Sequence, residues 1–239
     1  MKKNLLLGFA GSALVAMALT ACGAGTAAPA SAPPSETATA TPTPAKQYST
    51  EELVEFAKQI KAADGSTRAA VSGQELVAQY DPLRALTQAA IEPTTCKDLG
   101  TLGVYQPIAG STSAGTVRAK TGDFMTAVAL TSGVERDVLQ ASLDTSKSQV
   151  EACGRMTISA EGQSITATTE KAEGIGSVPG TVSFKTVMAF PDGRTGTLFT
   201  ANAIKDGVLI SATASGNNGE AGGPEAAGAL LDQAAALIK

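Results

Sequence analysis

Between residues 156 and 215 the chain reads as short runs of alternating polar and apolar residues cut by tight-turn signals, and this pattern restricts the fold more than any other feature. Residues 156–160 face 164–169 across Glu161-Gly162, and residues 182–190 face 195–204 across Pro191-Asp192-Gly193. Asp206-Gly207 then turns the chain into residues 208–215. A parallel return needs a crossover of about a dozen residues or more, so strands joined by turns this short are antiparallel neighbours.

The same period of two marks residues 116–120 and 124–131, the latter with Phe124, Thr126, Val128 and Leu130 on one face. Helical spacing surrounds these strands. Ser49-Thr50-Glu51-Glu52 forms a capping box ahead of Leu53, Phe56, Ala57 and Ile60, and Ser72-Gly73-Gln74-Glu75 starts a second helix through Leu76, Val77 and Tyr80. Asp81-Pro82 opens a third helical stretch through Leu83, Leu86 and Ala90. Residues 134–153 return to helical spacing and stop at Gly154. A terminal helix over 224–239 carries Leu230, Leu231, Ala234 and Ile238 as its stripe. The expected fold class is α+β: an antiparallel meander with helices packed on one face and one disulfide.

Composition removes several function classes. The chain has no histidine, so Ser-His-Asp and Cys-His nucleophile pairs are excluded, along with most transition-metal sites. A net charge of −4 without a basic patch argues against a nucleic-acid partner. Lys120-Thr121-Gly122 matches the K-T-G element of penicillin-binding enzymes, but no serine stands three residues before a lysine, so it reads as a strand end and turn. The run Gly174-Ile175-Gly176-Ser177-Val178-Pro179-Gly180 places Pro179 where a dinucleotide loop needs Gly or Ala, and no helix follows. Gly216-Asn217-Asn218-Gly219-Glu220 offers too few oxygens for calcium. Glu51/Glu52/Glu55 and Glu135/Asp137 fall on expected exposed helix faces, and the aromatic residues read as core bulk. No catalytic, cofactor-binding or metal-ligating residue is expected.

Lys2 and Lys3 precede an apolar stretch over 5–19, the layout of a secretory signal peptide. Leu19-Thr20-Ala21-Cys22 resembles the lipobox of bacterial lipoproteins. That resemblance implies cleavage before Cys22 and diacylglycerylation of its thiol, which places the protein on the outer face of the cytoplasmic membrane. Two or more acyl chains hold a protein stably, where one does not. The expected division is a leader at 1–21, an Ala/Pro/Thr-rich tether at 22–47 and one extracytoplasmic domain at 48–239. Losing residues 1–21 removes two lysines and no acid, so −4 becomes −6, and an acidic body stands off anionic headgroups.

Cys96 and Cys153 are then the remaining thiols. Pairing them is the economical reading in an oxidising compartment, and the close spacing of a redox pair is absent; the alternatives are two free thiols or a catalytic pair. A bridge spanning 57 positions would stabilise by about 4 kcal/mol on the chain-entropy account. The order of lipobox, tether, helical section, Pro93-Thr94-Thr95-Cys96, a helix ending at Cys153, meander and terminal helix resembles actinobacterial cell-envelope lipoproteins with the PknH-type extracellular sensor domain. That domain also carries a second disulfide and a Trp where Val150 stands here. The resemblance implies a non-enzymatic binding or sensing domain whose partners are the membrane, through Cys22, and an envelope protein or small envelope ligand. The alternatives are a carrier of a lipid or other hydrophobic ligand, or a carboxylate-based envelope hydrolase. Cys22→Ala is expected to release the protein from membranes or block its processing; unchanged membrane retention and intact mass would refute the lipid anchor.

Overall fold

The computed structural model describes residues 46–80, 89–96, 102–160, 162–217 and 221–239. The expected leader, the lipidation residue Cys22 and the tether up to residue 45 lie outside the described residues, as do 81–88 of the third expected helix and 218–220 of the Gly/Asn loop. Thr43–Lys239 clusters as one compact unit. Among the described residues no helix is long and apolar enough to cross a membrane.

In chain order the elements are α1 (Thr50–Gln59), β1 (Ala70–Ser72), α2 (Gly73–Ala78), β2 (Ala90–Glu92), β3 (Thr112–Thr116), β4 (Ala119–Thr121) and β5 (Phe124–Ser132). Then follow α3 (Arg136–Ala152), β6 (Arg155–Ala160), β7 (Gln163–Lys171), β8 (Val182–Ala189), β9 (Thr195–Lys205), β10 (Val208–Asn217) and α4 (Gly223–Leu237). Both capping boxes form: the Ser49 hydroxyl accepts from the Glu52 N–H at 3.2 Å while the Glu52 carboxylate accepts from the Ser49 N–H at 2.8 Å, and Ser72 and Glu75 form the second box.

Among the described residues all pairings are antiparallel, in the order β1-β3-β5-β10-β9-β8-β7-β6-β2, with β4 also on β5. The stretch β6 to β10 is the meander expected from the turn spacing, with Asp206 at φ 42 and Gly207 at φ 80 making the last tight turn. Two local expectations differ. Ala90 belongs to β2 rather than to a helix, because Ile91 is buried opposite Ile158 of β6 and tertiary pairing overrides local helical spacing. The single strand expected over 116–120 is split into β3 and β4: between them the Val117 N–H donates to the Ala69 carbonyl and the Arg118 N–H to the Gln79 side chain.

The central strands are buried on both faces. On one face, Val128 and Leu130 of β5, Ala201 and Ala203 of β9 and Ile210, Ala212 and Ala214 of β10 pack with α1 and α4. Successive strand residues point to opposite faces, so Leu209 lies on the other side, where it clusters with Leu139 and Leu143 of α3. The α+β class stands with α1 and α4 on one face as expected, but α3 covers the second face. The reason is that β5, β9 and β10 carry buried residues at odd and even positions alike, which one helical layer cannot cover.

Small residues set the spacing of the α4 layer. A Cβ on Gly228 would come within 2.7 Å of the Gly176 backbone nitrogen in the connection between β7 and β8. Gly228→Ala is therefore expected to destabilise by about 1–3 kcal/mol through overpacking, outweighing a helix-propensity gain of about 1 kcal/mol. A denaturant titration checks this, and a stability equal to or above the parent's would contradict the close approach.

Candidate functional site

The second face of the sheet does not close against α3. Between them lies a cleft of about 280 Å³. Its floor is formed by Thr131 of β5, Phe184 of β8, Thr200 and Asn202 of β9, and Ser211 and Thr213 of β10. Antiparallel register brings these residues together: Thr200 stands opposite both Phe184 and Thr213, and Asn202 opposite Ser211. One wall is α3, which presents Ser142, Thr145, Ser146 and Gln149. The other wall is the segment 103–108 with Tyr80 beside it. That segment starts at Gly103, at φ 69, where a Cβ would come within 2.7 Å of Leu198 Cδ2.

The disulfide connects the surroundings of these two walls. Cys96 and Cys153 are bridged with their Cα atoms 5.7 Å apart, and both are almost fully buried. Cys153 is the residue that ends α3, and Cys96 closes a 3-10 turn over Thr94–Cys96. Their sulfurs lie in an apolar cluster with Tyr80, Leu102, Val104 and Tyr105, so the covalent link backs the 102–105 stretch and the end of α3 together.

Within the cleft the polar groups are only partly paired. The Tyr105 hydroxyl and Thr131 Oγ1 are 3.2 Å apart in a hydrogen bond. The Ser211 hydroxyl donates to Asn202 Oδ1 at 2.6 Å, which leaves the Asn202 amide donors to face elsewhere. Thr200 is 4% exposed, and its hydroxyl has no hydrogen-bond partner. A buried hydroxyl left unpaired costs roughly 1–3 kcal/mol, so this position has a standing demand for a partner. No Asp, Glu, Lys or Arg is among the described residues lining the cleft. Burial pushes the Tyr80 phenol above its ordinary value; nearby Arg118 partly opposes this and Tyr105 adds to it.

The motifs singled out in the sequence fall away from this cleft. Lys120 and Thr121 end β4 and Gly122 turns at φ 59; Thr121 Oγ1 accepts from the buried Arg68 guanidinium at 3.0 Å, which gives the triplet a structural role. Gly174, Gly176 and Gly180 all have positive φ in the connection into β8. The carboxylates of Glu51, Glu52, Glu55, Glu135 and Asp137 are on exposed surface. Among the described residues no cluster of three acidic or cysteine ligands could hold a metal. The sequence pattern did not single out Thr200, Asn202, Ser211 and Thr213; Tyr80, Tyr105 and Phe184, expected as core bulk, are indeed buried and border the cleft. The available signal was the alternation Thr-Ala-Asn-Ala over 200–203, which places small apolar residues and polar residues on opposite faces of a central strand.

No protein-family model matches the chain, and no curated protein matches it. Among solved structures it is similar to the extracellular domain of PknH from Mycobacterium tuberculosis, with a TM-score of 0.48 and 11% identity, covering 79% of this chain and 97% of that one. It is also similar to an uncharacterized Mycobacterium smegmatis protein, an Rv0999 ortholog, with a TM-score of 0.41 and 18% identity, covering 72% of this chain and 87% of that one. The likeness is one of fold, and the first of these is the type of domain that the order of elements in the sequence resembles.

The raised Tyr80 value has a pH consequence. A group whose folded pKa lies above its unfolded value contributes stability that is fully present below the unfolded value, near 10.0 for a phenol, and is lost as pH rises through the folded one. The parent is therefore expected to lose stability above about pH 10, and Tyr80→Phe to lose less over the same interval. Thermal melts of both proteins across that range check this, and parallel losses would contradict it.

Proposed function

We propose that this protein is a lipid-anchored extracytoplasmic binding protein whose cleft between the sheet and α3 receives a small molecule, in a sensing or accessory role in the cell envelope. The cleft carries the reading: hydroxyl, amide and aromatic side chains converge there, and the Thr200 hydroxyl is buried in its floor without a partner. Small-molecule sites commonly combine apolar walls with a few placed polar groups, and this volume falls near the lower end of their range. The Cys96–Cys153 bridge supports an oxidising compartment. The lipobox-like Leu19-Thr20-Ala21-Cys22 supports anchoring through Cys22.

The chemistry of the lining favours binding over turnover. Among the described lining residues the titratable groups are Tyr80 and Tyr105, and burial pushes the Tyr80 phenol further above neutral pH. General acid-base catalysis works best when the group's pKa lies near the working pH. No carboxylate is among the described lining residues, and of the acids clustered in sequence Glu52 caps α1 and Glu55 pairs with Lys58 at 2.6 Å. A lipid carrier is also disfavoured. An alkyl chain seated on the floor would give the Thr200 hydroxyl no partner and would cover the Asn202 amide donors, at roughly 1–3 kcal/mol each.

Thr213 is partly exposed at the cleft floor, so Thr213→Trp fills the space without entering the opposite core. A small-molecule extract of bacterial envelopes is expected to raise the melting temperature of the parent, because a ligand that binds only the folded state stabilises it. Thr213→Trp is expected to fold and to lose that increase. An equal increase in the variant would place the ligand outside the cleft and overturn the reading.

A further inference from the structure

Resting on the cleft as the binding site, we infer that its ligand is an uncharged, hydroxyl-rich ring: a neutral sugar, free or as the terminal unit of a glycan. The first ground is charge. With no ionised side chain among the described lining residues, a carboxylate, phosphate or ammonium on the ligand would lose water without gaining a counter-charge. Arg118, the cation that acts on Tyr80, is not among the described lining residues, and one of its guanidinium N–H groups donates to Ser215 Oγ at 3.1 Å.

The second ground is the mixture of donors and acceptors. An anion asks for donors alone and a cation for acceptors alone, whereas each sugar hydroxyl both donates and accepts. The floor supplies both kinds. Asn202 accepts from Ser211 through Oδ1, so its NH₂ group remains a pair of donors; Ser211, having donated its proton, keeps free lone pairs. Thr200 offers a hydroxyl that can act either way and has no partner within the protein. The arrangement is fixed by β-sheet register, because Thr200, Asn202, Ser211 and Thr213 occupy adjoining positions on two paired strands.

The third ground is shape and surface. Tyr80, Tyr105 and Phe184 border the same cleft but are nearly buried, so they give it rigid apolar backing beside the polar floor rather than an open stacking face. A volume of about 280 Å³ suits one ring with its ordered waters, not an acyl chain of envelope length.

Saturation-transfer NMR on the purified full chain tests this, with glucose, galactose and mannose, their trisaccharides, glucuronate and glucose 6-phosphate as charged counterparts, and a fluorescent fatty acid. At least one neutral sugar is expected to bind, about tenfold or more tighter than its charged counterpart, and Thr200→Val is expected to weaken it by about tenfold while leaving the melting temperature unchanged or raised. Signals from the trisaccharides confined to one terminal ring would identify a glycan end, and stronger binding of the free sugars would identify a free ligand. Tighter binding of a charged sugar, or no loss in Thr200→Val, overturns the inference. Fatty-acid binding alone, abolished by Thr213→Trp, overturns it while leaving the cleft as the site. If no probe binds and the envelope extract stabilises parent and Thr213→Trp equally, the cleft reading falls as well.

Discussion

The structure depends on three adjacent strands: β5 and β9 are buried on both faces, and β10 is buried on the α4 side and half-buried at Ser211, Thr213 and Ser215 on the other. On the α4 side the requirement is met with small residues: Ala201, Ala203, Ala212 and Ala214 are fully buried and let the helix lie close, while Leu230 and Leu231 of α4 supply the bulk. Close-packed interiors tolerate little change in volume, which is why Gly228 and Gly176 can meet backbone to backbone there. On the other face the same strands carry Thr200, Asn202, Ser211 and Thr213. Polar residues in such a place cannot pack as a dry core without leaving unmade hydrogen bonds. The cleft is the space that a second apolar layer would have filled.

The supports of the cleft are separate from the attachment of the chain's N-terminal side. Tyr48 is buried in the α4-side core, where its N–H donates to Ser132 Oγ at 3.1 Å and its hydroxyl to the Lys239 carbonyl at 2.5 Å. Its own carbonyl accepts from the Thr112 hydroxyl at 2.6 Å, and Ser132 passes its proton on to the Gly207 carbonyl at 2.6 Å. These bonds tie Tyr48 to the ends of β3 and β5 and, through Ser132, to the β9–β10 turn. The cleft walls are held instead by the Cys96–Cys153 bridge and its cluster of Tyr80, Leu102 and Tyr105. The two anchorages lie in different apolar clusters on opposite faces of the sheet.

Local signals made the meander and the capped helices readable from sequence, because turn dipeptides such as Asp206-Gly207 and a capping box such as Ser49/Glu52 act within a few residues. Ala90 was misread because its conformation is set by β6, which lies more than sixty positions away, and nothing in its own neighbourhood records that pairing. The second helical layer escaped for a similar reason. Phe124, Thr126, Val128 and Leu130 make a convincing single buried face, yet Ala127, Ala129 and Thr131 on the other face are buried too, and short alanines and a threonine form no bulky apolar stripe that announces a second covered face. The cleft was least legible. Its residues come from strands and a helix distributed between Tyr80 and Thr213, and each is an ordinary Thr, Ser or Asn until register sets it beside the others.

The charge distribution supports the same ligand class from outside the cleft. A chain with a net charge of −4, and −6 without its first 21 residues, surrounds the molecule with a weakly negative field that disfavours the approach of anions. A cation could approach, but it would meet no carboxylate inside. Charged side chains pair instead at the surface, as in the Arg194–Asp192 pair at 2.7 Å and the Lys205–Asp206 pair at 2.6 Å. The buried Arg68 is itself held by neutral oxygens, the Thr126 carbonyl at 3.1 Å and the hydroxyls of Thr121 and Thr126. A neutral ligand avoids both penalties, since it neither responds to the outer field nor brings a charge into a cleft that holds none. Its selectivity must then come from matching hydroxyl to hydroxyl, a discrimination that is strong because every mismatched polar group in the floor is left unpaired.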